Sequence, residues 1–245
     1  MILKKTDCRQ RKDSVLGIVI NSYIKNISPV SSGYIAQESF MGLSSATIRN
    51  ILAELEQEGY LTHPHTSAGR VPTQEGYRYY VDHLMHEIQL LEEEKDQIKK
   101  EYERNVRDLE VILEKTSEVI AGVTQYTTIV SVDGRKDRLF CRGTEYVVAY
   151  PLSTDLHKIK EILSILEKKE SILEVINRDL HNKIHFYIGH EIACSAIEEC
   201  SLAVSKYQVD NGLSGRIAVL GPTRMDYQKV VSTLDYFSRL MGEIL

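Results

Sequence analysis

Arg49 and Asn50 stand side by side in the stretch SSATIRNILAELEQEGYL, flanked by Ala46 and Thr47. Arg offers a planar fork of donors that suits guanine, and Asn can bond adenine in a bidentate way. The Ala and Thr methyl groups can meet the methyl of thymine. A little further on, His63, His65, Thr66, Ser67 and Arg70 supply donors for phosphate oxygens or minor-groove edges. This set suits reading double-stranded DNA. Ser44 and Ser45, just before it, carry two readings, a helix N-cap or a further DNA contact. For Gly69 the reading is conformational.

Catalysis finds weaker support. His185, His190, Glu191 and Cys194 form the best metal-like group, yet HEIAC has Cys where a zincin helix needs its second His, and no third ligand or general base is evident. No phosphate-cradling glycine loop, nucleophile elbow or kinase signature occurs. The expectation is therefore no enzyme, with no catalytic residue, metal or cofactor.

The DNA-reading side chains need elements to hold them. Val15, Ile18, Val19 and Tyr23 recur at helical spacing within residues 9–26, and Pro29 then breaks the pattern. Ser31 or Ser32 can cap a second short helix running through Ile35 to Phe40, with Gly42 at its end. A third helix starts at the Ser44/Ser45 pair. There Ile48, Ile51, Leu52 and Leu55 fall at i, i+3, i+4 and i+7 and form one buried stripe. At about 100° per residue the opposite side falls on Ala46 and Asn50, with Thr47 and Arg49 on its flanks. Gly59 ends this helix. Tyr60 to Thr62 and Arg70 to Pro72 then read as a ribbon, its tip shaped by Pro64 and the SAG triplet. A helix-turn-helix followed directly by a ribbon is the order of a winged-helix DNA-binding domain.

Charge distribution agrees. The first fifty residues of this 245-residue chain hold seven Lys/Arg against three acids, a local +4 that leaves −9 for the remainder of a net −5. The four cysteines are scattered without a Cys-x-x-Cys pair and are expected as reduced thiols. No apolar run approaches the roughly 18 to 20 residues that span a bilayer, and the N-terminus has no apolar core of the signal-peptide type. A cytoplasmic location without membrane contact is expected.

In the centre, Leu84, Ile88, Leu91, Ile98, Tyr102, Leu109, Ile112, Val119 and Val123 follow alternating steps of three and four. They fit a dimer seam through Leu91, Ile98, Leu109 and Ile112 or a linker helix whose stripe lies on the following domain. Beyond it, YTTIVSVD, EYVVAYP, KIHFYIG, SLAVSKYQV and GRIAVLG read as strands, with helices at 155–180 and 226–245, an α/β pattern. The apolar side of the last helix (Val230, Leu234, Phe237, Leu240) is a second candidate dimer contact. Thr223 and Asp226 have capping-box spacing before that helix, and an anion site beside Arg224 is the alternative.

The runs LSSATIRN, LEQEGYL, PHTSAGRVPT and GYRYYVD, with ECSLAVSKYQV and GRIAVLGPTRMDYQKVV at the other end, resemble the heat-inducible transcription repressor HrcA family. The resemblance implies an α+β chain. Residues 1–83 would form a winged helix-turn-helix domain, 84–123 a long coiled-coil-like linker helix, and 124–245 a GAF-like regulatory and dimerisation domain. It implies a repressor that binds an inverted-repeat operator of heat-shock (chaperone) genes as a homodimer, with the GroE chaperonin supporting its active state. Family members usually carry an inserted dimerising domain, whereas here TQYTTIVSVD and LFCRGTEYVV lie only a few residues apart, so a shortened member is expected. Where the family has Pro-Val-Gly-Ser-Arg, this chain has Pro29 to Gly33 as PVSSG and lacks the basic residue at 33. The alternative function is a winged-helix regulator whose GAF-like domain senses a small molecule.

Overall fold

The structure, a computed structural model, describes residues 2–38, 42–64, 69–85, 90, 92, 94–96, 98, 109–149, 156–178, 183–209 and 212–244. The chain divides into two compact units, Met1–His86 and Glu87–Leu245.

In the first unit, α1 (Ile2–Asn26) begins earlier than the apolar periodicity requires, because nothing in KKTDCRQRK breaks a helix. It stops where Ile27 takes a left-handed φ of 52°. Next come α2 (Ser32–Glu38) and α3 (Ser45–Gln57). Ile48, Ile51, Leu52 and Leu55 of α3 are buried, in a core that also holds Val15, Leu16, Val19, Ile20 and Ile35. Gly59, at φ 83°, turns the chain out of α3, and the Tyr60 N–H reaches back to the Leu55 carbonyl at 3.0 Å. The ribbon follows as β1 (Leu61–Thr62) and β2 (Val71–Pro72), antiparallel with Leu61 opposite Pro72. Thr73 then caps α4 (Gln74–Tyr79) by accepting the Gly76 N–H at 3.0 Å, and a single π-helical turn, Tyr80–Leu84, continues it.

The second unit is built on α5 (Leu109–Thr124), β3 (Thr127–Val132), β4 (Arg135–Arg142), α6 (Glu145–Ala149), α7 (Leu156–Glu167), α8 (Lys169–Ile176), β5 (Ile184–Ile188), β6 (Cys200–Gln208), β7 (Ser214–Pro222) and α9 (Tyr227–Ile244). Its sheet has the order β4-β3-β7-β6-β5. Every neighbouring pair is antiparallel, so the unit is α+β rather than the expected alternating α/β pattern. One face packs Ile129, Leu139, Leu202, Val204, Ala218 and Leu220 against Ile162, Leu166 and Ile172 of α7 and α8. On the other face Tyr227 of α9 meets Phe186, ring centroids 5.5 Å apart, and shares a 2.9 Å hydrogen bond with Ser201. Thr116 of α5 contacts Met241 of α9 at 3.3 Å.

Three expectations change here. EYVVA is the short helix α6 rather than a strand. A brief apolar run does not fix its own period, and Gly143, at φ 78°, turns the chain off the sheet just before it. The strand β4 was not foreseen in RKDRLFCR, whose charged first half hides the alternation. The cap of the last helix comes from Asp226, whose carboxylate accepts the Lys229 N–H at 3.1 Å, rather than from Thr223. Arg224 beside it is half-buried.

Members of both dimer stripes read from the sequence turn inward, while Leu109 of the central one is half-buried. Ile98 and Ile112 are each 4% exposed, and Val230, Leu234 and Phe237 are fully buried. Tyr236 of α9 donates to the Lys95 carbonyl at 3.2 Å, which sets that stretch against α9 within the same unit. Leu91 lies outside the described residues.

Candidate nucleic-acid interface

The interface begins at the N-terminus of α3. Ser44 is its N-cap, with extended backbone (φ −70°, ψ 152°), and its hydroxyl accepts the Thr47 N–H at 3.1 Å. The same hydroxyl lies 2.9 Å from that of Thr47. Ser45 Oγ is 3.1 Å from Ser32 Oγ and ties α3 to α2. Both serines therefore have local structural partners. Ala46, Thr47, Arg49 and Asn50 are all exposed on the side away from the buried stripe. Among the described residues no hydrogen bond or ion pair engages the side chains of Arg49 and Asn50.

The ribbon is anchored to the far end of the same helix. Glu56 pairs through one carboxylate oxygen with Arg70 at 2.8 Å and through the other with Nδ1 of His63. The backbone of Arg70 forms a bridge with Val30, exchanging two hydrogen bonds of 2.9 Å. Gly69 permits that approach, since a Cβ there would lie 2.4 Å from the Val30 carbonyl oxygen. Its glycine is thus a matter of space, in keeping with the conformational reading. His65, Thr66 and Ser67, the expected contacts at the tip, lie outside the described residues.

Sequence reasoning passed over Glu56. The signal was present: Glu54, Glu56 and Glu58 crowd the C-terminal end of a helix, where negative charge is disfavoured unless cations answer it. Lys12 of α1 answers Glu54 and Glu58, at 2.7 Å from each, and their hydrogen bonds hold its ammonium pKa above the ordinary range. Arg9 is similarly drawn to Tyr79, whose hydroxyl it donates to at 2.8 Å. Two cations of the basic front thus serve the fold.

In the second unit, Glu191 accepts the Ile188 N–H at 2.9 Å, a local turn contact. His185 stacks edge-on with Tyr187. Among the described residues no group of three or more His, Cys, Asp or Glu is arranged to hold a metal ion, and no helix is long and apolar enough to cross a membrane.

Residues 89–231 match the family model of the HrcA protein C terminal domain. The chain belongs to the HrcA family. This membership places it among transcription repressors rather than enzymes. It is similar to the heat-inducible transcription repressor HrcA of Carboxydothermus hydrogenoformans, at 28% identity covering 96% of this chain and 98% of that one. It is equally similar to the HrcA of Pelotomaculum thermopropionicum, at 28% identity covering 96% of each. A crystal structure of a hypothetical protein shares the fold with a TM-score of 0.76, at 19% identity over 96% of both chains.

Proposed function

We propose that this HrcA-family chain represses heat-shock (chaperone) genes by binding an inverted-repeat operator in double-stranded DNA as a homodimer. The first unit acts as a winged helix-turn-helix, in which α3 enters the major groove and the ribbon is the wing. The observation that carries this reading is the exposed quartet Ala46, Thr47, Arg49 and Asn50 at the N-terminal end of α3, opposite a fully apolar stripe. Such motifs read base edges from that end of the recognition helix. His65, Thr66 and Ser67 at the wing tip contact phosphate or the minor groove, with His63 and Arg70 at its base, while Ser44 and Ser45 set the helix in place.

One winged helix buries too little surface for operator-grade specificity, which is why two copies are required. The second unit is GAF-like and serves regulation and dimerisation. The chain is a shortened member of the family: β3 and β4 are joined through a tight turn at Asp133-Gly134, where relatives would carry the inserted dimerising domain. In support, the alignment with the Carboxydothermus protein extends over 334 positions against the 245 residues of this chain. The protein works in the cytoplasm, and the GroE chaperonin supports its active state. That last part fails if added chaperonin changes neither operator affinity nor soluble yield.

The test is a gel shift at stated salt with a palindromic promoter fragment and a scrambled duplex of equal length. Preference for the palindrome supports repression. A second reading, small-molecule sensing by the second unit, draws on a cavity of about 230 Å³ lined by Val147, Lys158, Ile159, Ile162, Ala196 and Cys200. Absence of a specific shift together with thermal stabilisation by a small ligand would favour it.

A further inference from the structure

We infer that Glu56 is a positioning residue of the DNA interface, a carboxylate that locks the wing to the recognition helix so that both address one duplex in a fixed register. The inference rests on the DNA-binding reading above and adds to it a residue that touches no DNA.

The wing cannot orient itself. Its ladder is two residues on each side, and an isolated two-stranded ribbon is marginal in water even when much longer. What fixes it is a set of anchors at its base. Glu56 sends its two oxygens to opposite arms, to His63 just after β1 and to Arg70 just before β2. Arg70 is held a second time through its backbone bridge to Val30, with Gly69 making room. The Arg70 and Glu56 side chains are 23% and 26% exposed, so the pair is partly shielded from water and from screening ions. Both arms of the ribbon are thus fixed at their base.

The position of Glu56 supplies the coupling. It lies seven residues after Arg49 on the same helix, about two turns along, so the base-reading side chains and the wing clamp belong to one rigid element. The acid would otherwise oppose DNA binding, being a negative charge beside a phosphate-seeking ribbon at a helix end that already disfavours it. Its retention there is explained by what it holds.

Glu56→Gln keeps the shape and removes the charge. Operator affinity should fall roughly tenfold, about 1.4 kcal/mol, while binding to a scrambled duplex is unchanged or tighter with a steeper salt dependence, because Arg70 and His63 are released toward phosphate. A purely structural role would lower binding to both duplexes together. Glu56→Asp withdraws the carboxylate by one methylene and should also lose preference for the operator, which keeps the test informative if the Gln variant folds poorly. Arg70→Gln should cost preference as well, and combining it with Glu56→Gln should cost no more than the worse single change. Glu58→Gln, which removes one of the two carboxylates on Lys12 and leaves Glu54 in place, should leave preference intact. The inference is overturned if Glu56→Gln and Glu56→Asp keep wild-type preference, if they weaken both duplexes equally, or if the Glu56 and Arg70 effects simply add. A wild-type chain with no preference for any palindromic fragment defeats the DNA-binding reading instead.

Discussion

Replacing Arg49 by Ala separates recognition from folding. Arg49 is exposed on α3, and among the described residues nothing in the protein holds its guanidinium. Removing it takes away no core contact, so the stability change should stay within about 0.5 kcal/mol, the usual range for such surface sites. If the side chain reads a base by a bidentate contact, its loss costs about 1 to 3 kcal/mol of discrimination. At 1.4 kcal/mol per decade that is roughly a 5- to 150-fold rise in Kd for each half-site. Fluorescence anisotropy with a labelled operator, run beside thermal unfolding, reads both quantities on one preparation. Unchanged operator affinity with an intact fold would show that this face of α3 is not the reader. A large drop in thermal midpoint would show that the burial argument is wrong.

A change two residues on should behave in the opposite way: Ile51→Ala, on the buried stripe, should cost about 2 to 5 kcal/mol of folding stability. DNA binding by that variant should recover at temperatures where it is folded. Ile112→Asp should unfold the second unit rather than split a dimer, because that side chain is 4% exposed within its own unit; a folded monomer by sedimentation would return the contact to the α5 seam. Burial pushes the thiols of Cys141 and Cys200 up to about 11 and about 12 from a usual 9.0, so both stay protonated in the folded chain where the unfolded chain ionises. Their stabilising contribution is then complete below pH 9 and is lost as pH climbs toward 12, a decline that denaturant titrations can follow. In the same folded protein Cys200 should resist Ellman's reagent at pH 8 until unfolding, and prompt reaction would contradict its burial.

How much of this was legible in the sequence depends on how local the physics is. The stripe of α3 was readable because four large aliphatic residues at helical spacing leave one arrangement open, and its end was readable because Gly59 adopts the left-handed turn that glycine favours. The ribbon followed from Pro64 and the SAG triplet, Ser67 to Gly69. In the second unit, β4 was obscured by Arg135, Lys136, Asp137 and Arg138, although Asp133-Gly134 is a strong hairpin dipeptide and carried the missing clue. The helix α6 was unreadable for a different reason, since five residues rich in Val and Tyr suit a strand until the turn at Gly143 redirects them. Helical periodicity showed apolar stripes at Ile112 and along α9 but could not say which surface they meet. That surface is the chain's own, because Thr116 meets Met241 and Tyr236 reaches Lys95. Glu56 is the same kind of problem at the site, where its role becomes visible only once His63 and Arg70 arrive from beyond the turn.

A nuclease footprint of the purified chain on the chaperone promoters of its own genome tests the central claim most directly. Two protected half-sites related by a two-fold axis are expected at protein concentrations that leave flanking DNA open, with protection lost in Arg49→Ala. Uniform protection along the fragment, or none at concentrations that saturate non-specific DNA, would contradict it.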